Sequence, residues 1–180
     1  MNKYIFCMDL KYLKFIIIFF ALLHSVNAEE KNSKFLDEKS TEFNVYSGMF
    51  DFSDDGKKST LLGLQHQNEN LNRDTFLGNL SPITGGLITA DSATYVYTGV
   101  QAQYKIGTLN ITPSFTPGLY HEGDGKDLGH LIEFKSEVQL SLDLTKTSEF
   151  GFSYNHLSNA SLGEKNPGAN SYMFNFLKSF

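Results

Sequence analysis

Residues 131–144 alternate between apolar and polar side chains along their whole length. The apolar set is Ile132, Phe134, Val138, Leu140, Leu142 and Leu144, and the polar set is Glu133, Lys135, Glu137, Gln139, Ser141 and Asp143, with Ser136 as the single polar residue on the apolar side. Because successive side chains of a β-strand point to opposite faces, this pattern predicts a strand with one apolar and one charged face. Such a strand is long for a soluble sheet, where about 5–6 residues are usual. It suits a tilted strand that crosses a membrane, which needs about 9–11 residues.

Seven further segments show the same alternation and are separated by turns rich in Gly, Asp, Asn and Ser. They cover residues 41–52, 59–67, 76–90, 94–106, 109–120, 149–158 and 170–180. An even number of antiparallel strands can close into a barrel with both chain ends on one side of the membrane. The sequence therefore predicts an all-β fold, an eight-stranded antiparallel transmembrane β-barrel of the outer membrane, over residues 41–180. The turns near Gly56 and Asp91 and the loops 121–129 and 161–168 then lie outside.

A soluble eight-stranded barrel, such as a lipocalin-like binder, is the alternative. Its charged residues would face water and its apolar residues would fill the interior, so alternation alone fits both folds. The strand length favours the membrane. So does the final residue, Phe180, which follows aromatic residues at alternating positions and resembles the C-terminal signature recognised by the barrel-assembly machinery of bacteria.

The N-terminus predicts export. Lysines at positions 3, 11 and 14 precede an apolar run at residues 15–23, which ends before Val26-Asn27-Ala28. This order is typical of a signal peptide, here residues 1–28. A retained membrane anchor is the alternative, but the run is well short of the about 20 residues that a spanning helix needs. Residues 29–40 are polar and charged, and we expect a flexible lead-in.

Cleavage after Ala28 would remove Cys7, the only cysteine, so no disulfide is expected. It would also remove three lysines and Asp9, which lowers the net charge from −5 to −7. No dense basic run remains, whereas phosphate binding needs clustered Lys and Arg. Nucleic acid is therefore not an expected partner.

The stretch from His156 to Asn170 contains the candidate site. His156 and Ser158 share the strand face of Phe150, Phe152 and Tyr154, and Asn170 shares the aromatic face of the last predicted strand. The two strands are neighbours, so the three polar side chains are expected to converge on the outer wall near the loops. Polar groups at lipid depth are costly and usually functional, but near the headgroups a decorative role stays open.

This stretch resembles the C-terminal motif of the lipid A 3-O-deacylases, the PagL family, which is related in name to acyloxyacyl hydrolases. The matching residues are His156-Leu157-Ser158-Asn159-Ala160 and Asn166-Pro167-Gly168, followed by the strand to Phe180. The resemblance implies a signal peptide, an eight-stranded outer-membrane barrel and hydrolysis of the 3-O-linked acyl chain of lipid A. A non-enzymatic barrel with a structural or adhesive role is the alternative.

The resemblance also implies a role for each residue of the motif. Ser158 is the expected nucleophile and His156 its base. Backbone N–H groups after Ser158, including that of Ala160, and the Asn166 side chain are expected to hold the oxyanion. Asn159 and Gly168 are expected to shape the site.

One position departs from the family pattern. Asn170 stands where well-studied members have a Glu that orients the His. Its side-chain oxygen can still accept the imidazole N–H, as in a Cys-His-Asn arrangement, but it lacks the negative charge. Glu164 could take that role only if the loop folds back.

No cofactor or metal is expected. The outer-loop residues His121, Glu122, Asp124, Asp127 and His130 match no calcium-loop spacing, so a solvated loop is favoured. The expected partners are lipid A in lipopolysaccharide, the outer membrane and the barrel-assembly machinery, and a homodimer is left open.

Overall fold

The computed structural model describes residues 41–54 and 57–180. The predicted signal peptide and lead-in, residues 1–40, lie outside the described residues. The strands are β1 (Thr41–Phe50), β2 (Ser59–Asn68), β3 (Arg73–Thr75), β4 (Gly78–Thr89), β5 (Thr94–Ala102), β6 (Tyr104–Ile106), β7 (Leu109–His121), β8 (Ile132–Thr145), β9 (Ser148–Ser158) and β10 (Ala169–Ser179). A 3₁₀ turn (Glu69–Leu71) follows β2.

The strands form one antiparallel sheet that closes on itself. Neighbours along the chain pair from β7 to β10, β1 pairs with both β10 and β2, and β2 pairs with β4 to complete the ring. β5 and β6 both lie along β7, interrupted at Gln103, and the short β3 pairs only with β4. The barrel thus has eight strand positions, which confirms the predicted fold.

The two faces of the sheet have opposite chemistry. On β8, Val138, Leu140 and Leu142 are 40–51% exposed on the outer wall, whereas Glu133 and Lys135 are at most 2% exposed in the interior. A soluble barrel would show the reverse arrangement. The apolar outer wall is that of a transmembrane barrel and excludes the lipocalin-like alternative. No helix in the described ranges has the length and hydropathy of a membrane span.

Hydrogen bonds and charges fill the barrel interior. Lys135 Nζ lies 2.7 Å from Glu137 Oε2 and 4.2 Å from the centre of the Tyr97 ring. The low dielectric of the interior strengthens both contacts. The ion pair lies within β8, whereas the contact with Tyr97 joins β8 to β5, which is not its neighbour in the sheet. Glu133 departs from this pattern, since neither of its carboxylate oxygens has a hydrogen-bond partner within the described part of the chain.

The Lys135–Glu137 pair predicts a large loss of stability on truncation. Lys135→Ala would leave the Glu137 carboxylate in the interior without its cation, so we expect the free energy of unfolding to fall by about 3–5 kcal/mol. Lys105→Ala is the control, because its partner Asp143 and Lys105 itself are 33% and 55% exposed, and exposed pairs contribute about 0–1 kcal/mol. Urea unfolding in phospholipid vesicles measures both, and equal losses would contradict the assignment.

Candidate active site

The end of β9 and the start of β10 form one edge of the barrel mouth. In the register of this pair, His156 lies opposite Asn170 and Leu157 lies opposite Ala169. The connecting segment, residues 159–168, turns sharply, with positive φ at Ala160 (52°), Ser161 (66°) and Gly168 (63°). Because this turn directly follows Ser158, its course determines which groups lie around the Ser158 hydroxyl.

His156 and Asn170 are brought together on the outer wall. His156 Nδ1 donates a hydrogen bond to Asn170 Oδ1 at 2.8 Å. In a neutral imidazole, this contact places the proton on Nδ1 and leaves Nε2 as an acceptor. His156 is exposed and Asn170 half-buried, as their shared outward face predicts.

Ser158 lies on the same face, at the last residue of β9. It pairs with Phe134 of β8 and is half-buried. Within residues 41–54 and 57–180 no hydrogen bond to its Oγ is found, and His156 is not bonded to it. Residues i and i+2 of a strand are spaced by about 6.6 Å along the strand, a separation that a hydroxyl and an imidazole bridge only when both side chains turn toward each other.

Asn159 organises the loop that follows the serine. Its side chain is fully buried. Its Nδ2 donates to Leu128 O and Lys165 O, both at 2.8 Å, while its Oδ1 accepts from the N–H of Ser161 at 2.9 Å. One buried amide therefore joins the β7–β8 loop to the β9–β10 loop.

Asn166 contacts the first backbone N–H after the serine. Its Oδ1 accepts from the N–H of Asn159 at 3.1 Å. That N–H is thus already occupied, which narrows the expected set of oxyanion donors. The Ala160 N–H and the Asn166 Nδ2 remain, and neither has an acceptor among the described residues.

Gly168 packs against the His156 imidazole, where a side chain at position 168 would crowd the ring. A Cβ at this position would lie 2.9 Å from His156 Cε1 and 3.3 Å from His156 Nε2. Its φ of 63° also lies in the left-handed region, where a side chain is strained. The loop therefore needs glycine here for both backbone and site geometry.

An ion pair also joins the two outer loops. Lys165 Nζ bonds to Asp127 Oδ2. This hydrogen bond and that from the Gly129 N–H hold the pKa of the Asp127 carboxyl below its usual range. The pair is therefore charged at neutral pH.

The histidine at the end of β7 and the one in the β7–β8 loop both accept hydrogen bonds from backbone groups nearby in the chain. His121 Nδ1 accepts from the Gly123 N–H, and His130 Nδ1 accepts from the Ile132 N–H. The described residues contain no group of three His, Cys, Asp or Glu side chains arranged to hold a metal ion. Glu164, in the β9–β10 loop, is exposed, and no contact between it and His156 is found among the described residues.

Three neighbours of the site were not identified from the sequence. Ser136 lies opposite His156 on the β8 side, and its signal was its position as the one polar residue on an apolar face. Tyr154 Oη donates to Asn170 Oδ1 at 2.9 Å, and Asn170 Nδ2 donates to Ser53 Oγ at 3.1 Å. Ser53 belongs to the β1–β2 loop, and no local pattern connects it to residues so distant in the chain.

The contact between Gly168 and His156 predicts a specific effect of Gly168→Ala. We expect the imidazole to be displaced, and the positive φ to cost about 1–2 kcal/mol of stability. Gly107→Ala is the matched control, because Gly107 has a φ of 62° but nothing within 4 Å of its Cβ position. Both variants should unfold more easily, and only Gly168→Ala should shift the His156 imidazole resonances in ¹H–¹⁵N spectra. Unchanged resonances would contradict the packing.

Comparison with known proteins bears on the family and the fold of the chain. The family model described as lipid A 3-O-deacylase (PagL) matches residues 45–179. The chain is similar to the crystal structure of the outer membrane enzyme PagL, with 16% identity, a TM-score of 0.58 and coverage of 76% of this chain and 98% of that chain. It is also similar to a de novo designed transmembrane β-barrel, with 10% identity, a TM-score of 0.51 and coverage of 79% and 96%.

Both of these likenesses show the barrel fold. The comparison with curated proteins gives no match. The family model, in contrast, spans well over half of the sequence, including every strand of the barrel at least in part. The chain therefore belongs to the lipid A 3-O-deacylase (PagL) family.

Proposed function

We propose that this protein is an outer-membrane serine esterase that hydrolyses the 3-O-linked acyl chain of lipid A. Family membership supports the substrate class. The observation that carries the mechanism is the hydrogen bond from His156 Nδ1 to Asn170 Oδ1 on the outer wall. It leaves Nε2 free to accept a proton, which is the form that a general base needs.

Ser158 would act as the nucleophile. Its Oγ attacks the carbonyl carbon of the ester while its proton moves to His156 Nε2. The tetrahedral intermediate then collapses, the bond to the sugar oxygen breaks, and His156 passes the proton to that oxygen. Water activated by His156 hydrolyses the acyl-serine and releases the fatty acid. Catalytic hydrogen bonds are often loose without substrate and tighten in the Michaelis complex, so the open Ser158–His156 pair is compatible with this role.

The oxyanion would be held by the Ala160 N–H and the Asn166 Nδ2. The Asn159 N–H donates to Asn166 Oδ1 at 3.1 Å. It therefore orients the Asn166 amide and is not itself a donor to the oxyanion. Donors fixed before the reaction stabilise the developing charge without reorganising. Asn159 therefore acts through the loop that it holds.

The position of the site suits a substrate that is itself a membrane lipid. The residues below it on β9 and β10 are exposed aromatics, among them Phe152 (44%) and Phe174 (53%). An acyl chain can lie along this apolar wall while its ester bond is level with Ser158, near the headgroups. Lipid A thus reaches the serine by lateral diffusion. Insertion of the barrel by the barrel-assembly machinery, which Phe180 favours, is part of this proposal.

The nucleophile assignment is tested with two serines. Purified protein is incubated with lipopolysaccharide, and fatty-acid loss from lipid A is followed by mass spectrometry. We expect Ser158→Ala to lower the rate by about a thousandfold or more, as for other serine nucleophiles. Ser136→Ala, which removes the hydroxyl opposite His156 in the register, should stay within about twofold.

Other outcomes would overturn parts of the proposal. If Ser136→Ala lost activity while Ser158→Ala stayed active, the nucleophile would be Ser136 on β8. A wild-type protein that releases no fatty acid from lipid A, although it is folded, would favour the non-enzymatic barrel.

Replacement of Asn170 by a glutamate is predicted to raise the activity. A carboxylate in its place would stabilise the imidazolium that forms in the transition state, so we expect Asn170→Glu to raise kcat by roughly tenfold, or about 1.4 kcal/mol. Asn170→Ala, which removes the acceptor of His156 Nδ1, should lower it. Steady-state deacylation at saturating substrate measures both, and a slower Asn170→Glu with unchanged stability would contradict the argument.

A further inference from the structure

The side chain of Asn170 is held by three side-chain partners. Its Oδ1 accepts from His156 Nδ1 at 2.8 Å and from Tyr154 Oη at 2.9 Å, and its Nδ2 donates to Ser53 Oγ at 3.1 Å. Both the oxygen and the nitrogen of the amide thus have a polar partner. The His156 contact belongs to the proposed mechanism, but the other two do not.

An amide at position 170 can adopt an unproductive orientation, whereas a carboxylate cannot. Rotation by 180° about its last side-chain bond exchanges the oxygen with the NH₂ group. The NH₂ group would then donate to His156 Nδ1, and the imidazole proton would have to move to Nε2. In that tautomer Nε2 cannot accept a proton from Ser158. A carboxylate has an acceptor on both sides, so rotation changes nothing.

Tyr154 opposes this rotation. The oxygen lone pairs of a phenol are delocalised into the ring, which makes the hydroxyl a better donor than acceptor. With Oδ1 at its observed place, Tyr154 donates, whereas after rotation it would have to accept. The Tyr154 ring is itself held by Phe52, whose ring centre lies 6.2 Å away.

Ser53 receives the other end of the amide. Its loop is fixed to β10 by two hydrogen bonds to the Asn170 backbone: the Phe52 N–H donates to Asn170 O at 2.9 Å, and the Asn170 N–H donates to the side-chain oxygen Asp51 Oδ1 at 3.4 Å. Asp51 is in turn paired with Lys126 at 2.6 Å. The acceptor for Nδ2 is therefore attached to the same strand that carries Asn170.

We infer that Tyr154 and Ser53 are positioning residues that hold the Asn170 amide with its oxygen toward His156, so that an asparagine replaces the carboxylate of the triad. The inference rests on the proposed function for its kinetic consequence. It predicts that the two residues matter because residue 170 is an asparagine, and that their effect disappears with a carboxylate there.

The test is a double-mutant cycle. A single neutral hydrogen bond is worth about 1 kcal/mol, or roughly fivefold in rate, so Tyr154→Phe and Ser53→Ala should each lower kcat by about fivefold with little change in KM. In the Asn170→Glu background, Tyr154→Phe should change kcat by less than about twofold. Tyr172→Phe is the matched control, because Tyr172 lies directly opposite Tyr154 in the register and no hydrogen bond to its hydroxyl is found in the described part of the chain.

A second readout does not depend on activity. The ¹⁵N shifts of the His156 imidazole report which nitrogen carries the proton, and we expect the Nδ1–H form in the wild type and in Tyr172→Phe, with Nε2–H appearing in Tyr154→Phe. An equal loss of kcat in both backgrounds, or imidazole shifts that do not respond to Tyr154→Phe, would overturn the inference. A wild type that shows the Nδ1–H form but releases no fatty acid would refute the proposed function alone.

Discussion

Closure of the β-sheet is the constraint on which the rest of this structure depends. In a bilayer, each unsatisfied backbone N–H or C=O costs several kcal/mol, and a closed barrel satisfies all of them between strands. The pairing of β2 with β4 and of β1 with β10 completes that ring. Once the ring is closed, side chains along a strand alternate between lipid and a narrow interior. The position of a residue in its strand therefore decides which of the two it faces. The apolar outer wall and the Lys135–Glu137 pair inside follow from that single condition.

The same alternation of side chains explains why the candidate site lies on the outer wall. His156 follows Tyr154 and Phe152 on the outer face of β9, so its imidazole cannot turn inward without changing the register of the strand. The polar groups are tolerated because they lie at the end of the strand and bond to one another across β9 and β10. The loops above them are joined by the buried Asn159 and by the Lys165–Asp127 pair. A rigid rim thus holds a polar cluster at the edge of an apolar wall.

The strand pattern and the facing of the site could be predicted from the sequence, because period-two alternation is a local property of the chain. The strands containing residues 131–144 and 149–158 are found at nearly those positions, and His156 and Asn170 meet as their shared face predicts. The interruption at Gln103 and the separate β3 were not anticipated, since short breaks leave the alternation intact. The contact of Ser53 with Asn170 depends on how a loop 117 residues away folds over the rim. The engagement of the Asn159 N–H by Asn166 likewise depends on the course of the loop.

The proposed mechanism requires Ser158, on the outer wall of a membrane barrel, to be an activated nucleophile. Fluorophosphonates with an alkyl chain react covalently with activated serines, so peptide mass spectrometry after labelling in phospholipid vesicles tests the claim directly. We expect one modified serine, Ser158, and loss of the label in a His156→Ala variant. Labelling of Ser136 instead, or equal labelling of Ser158 in the His156→Ala variant, would contradict it.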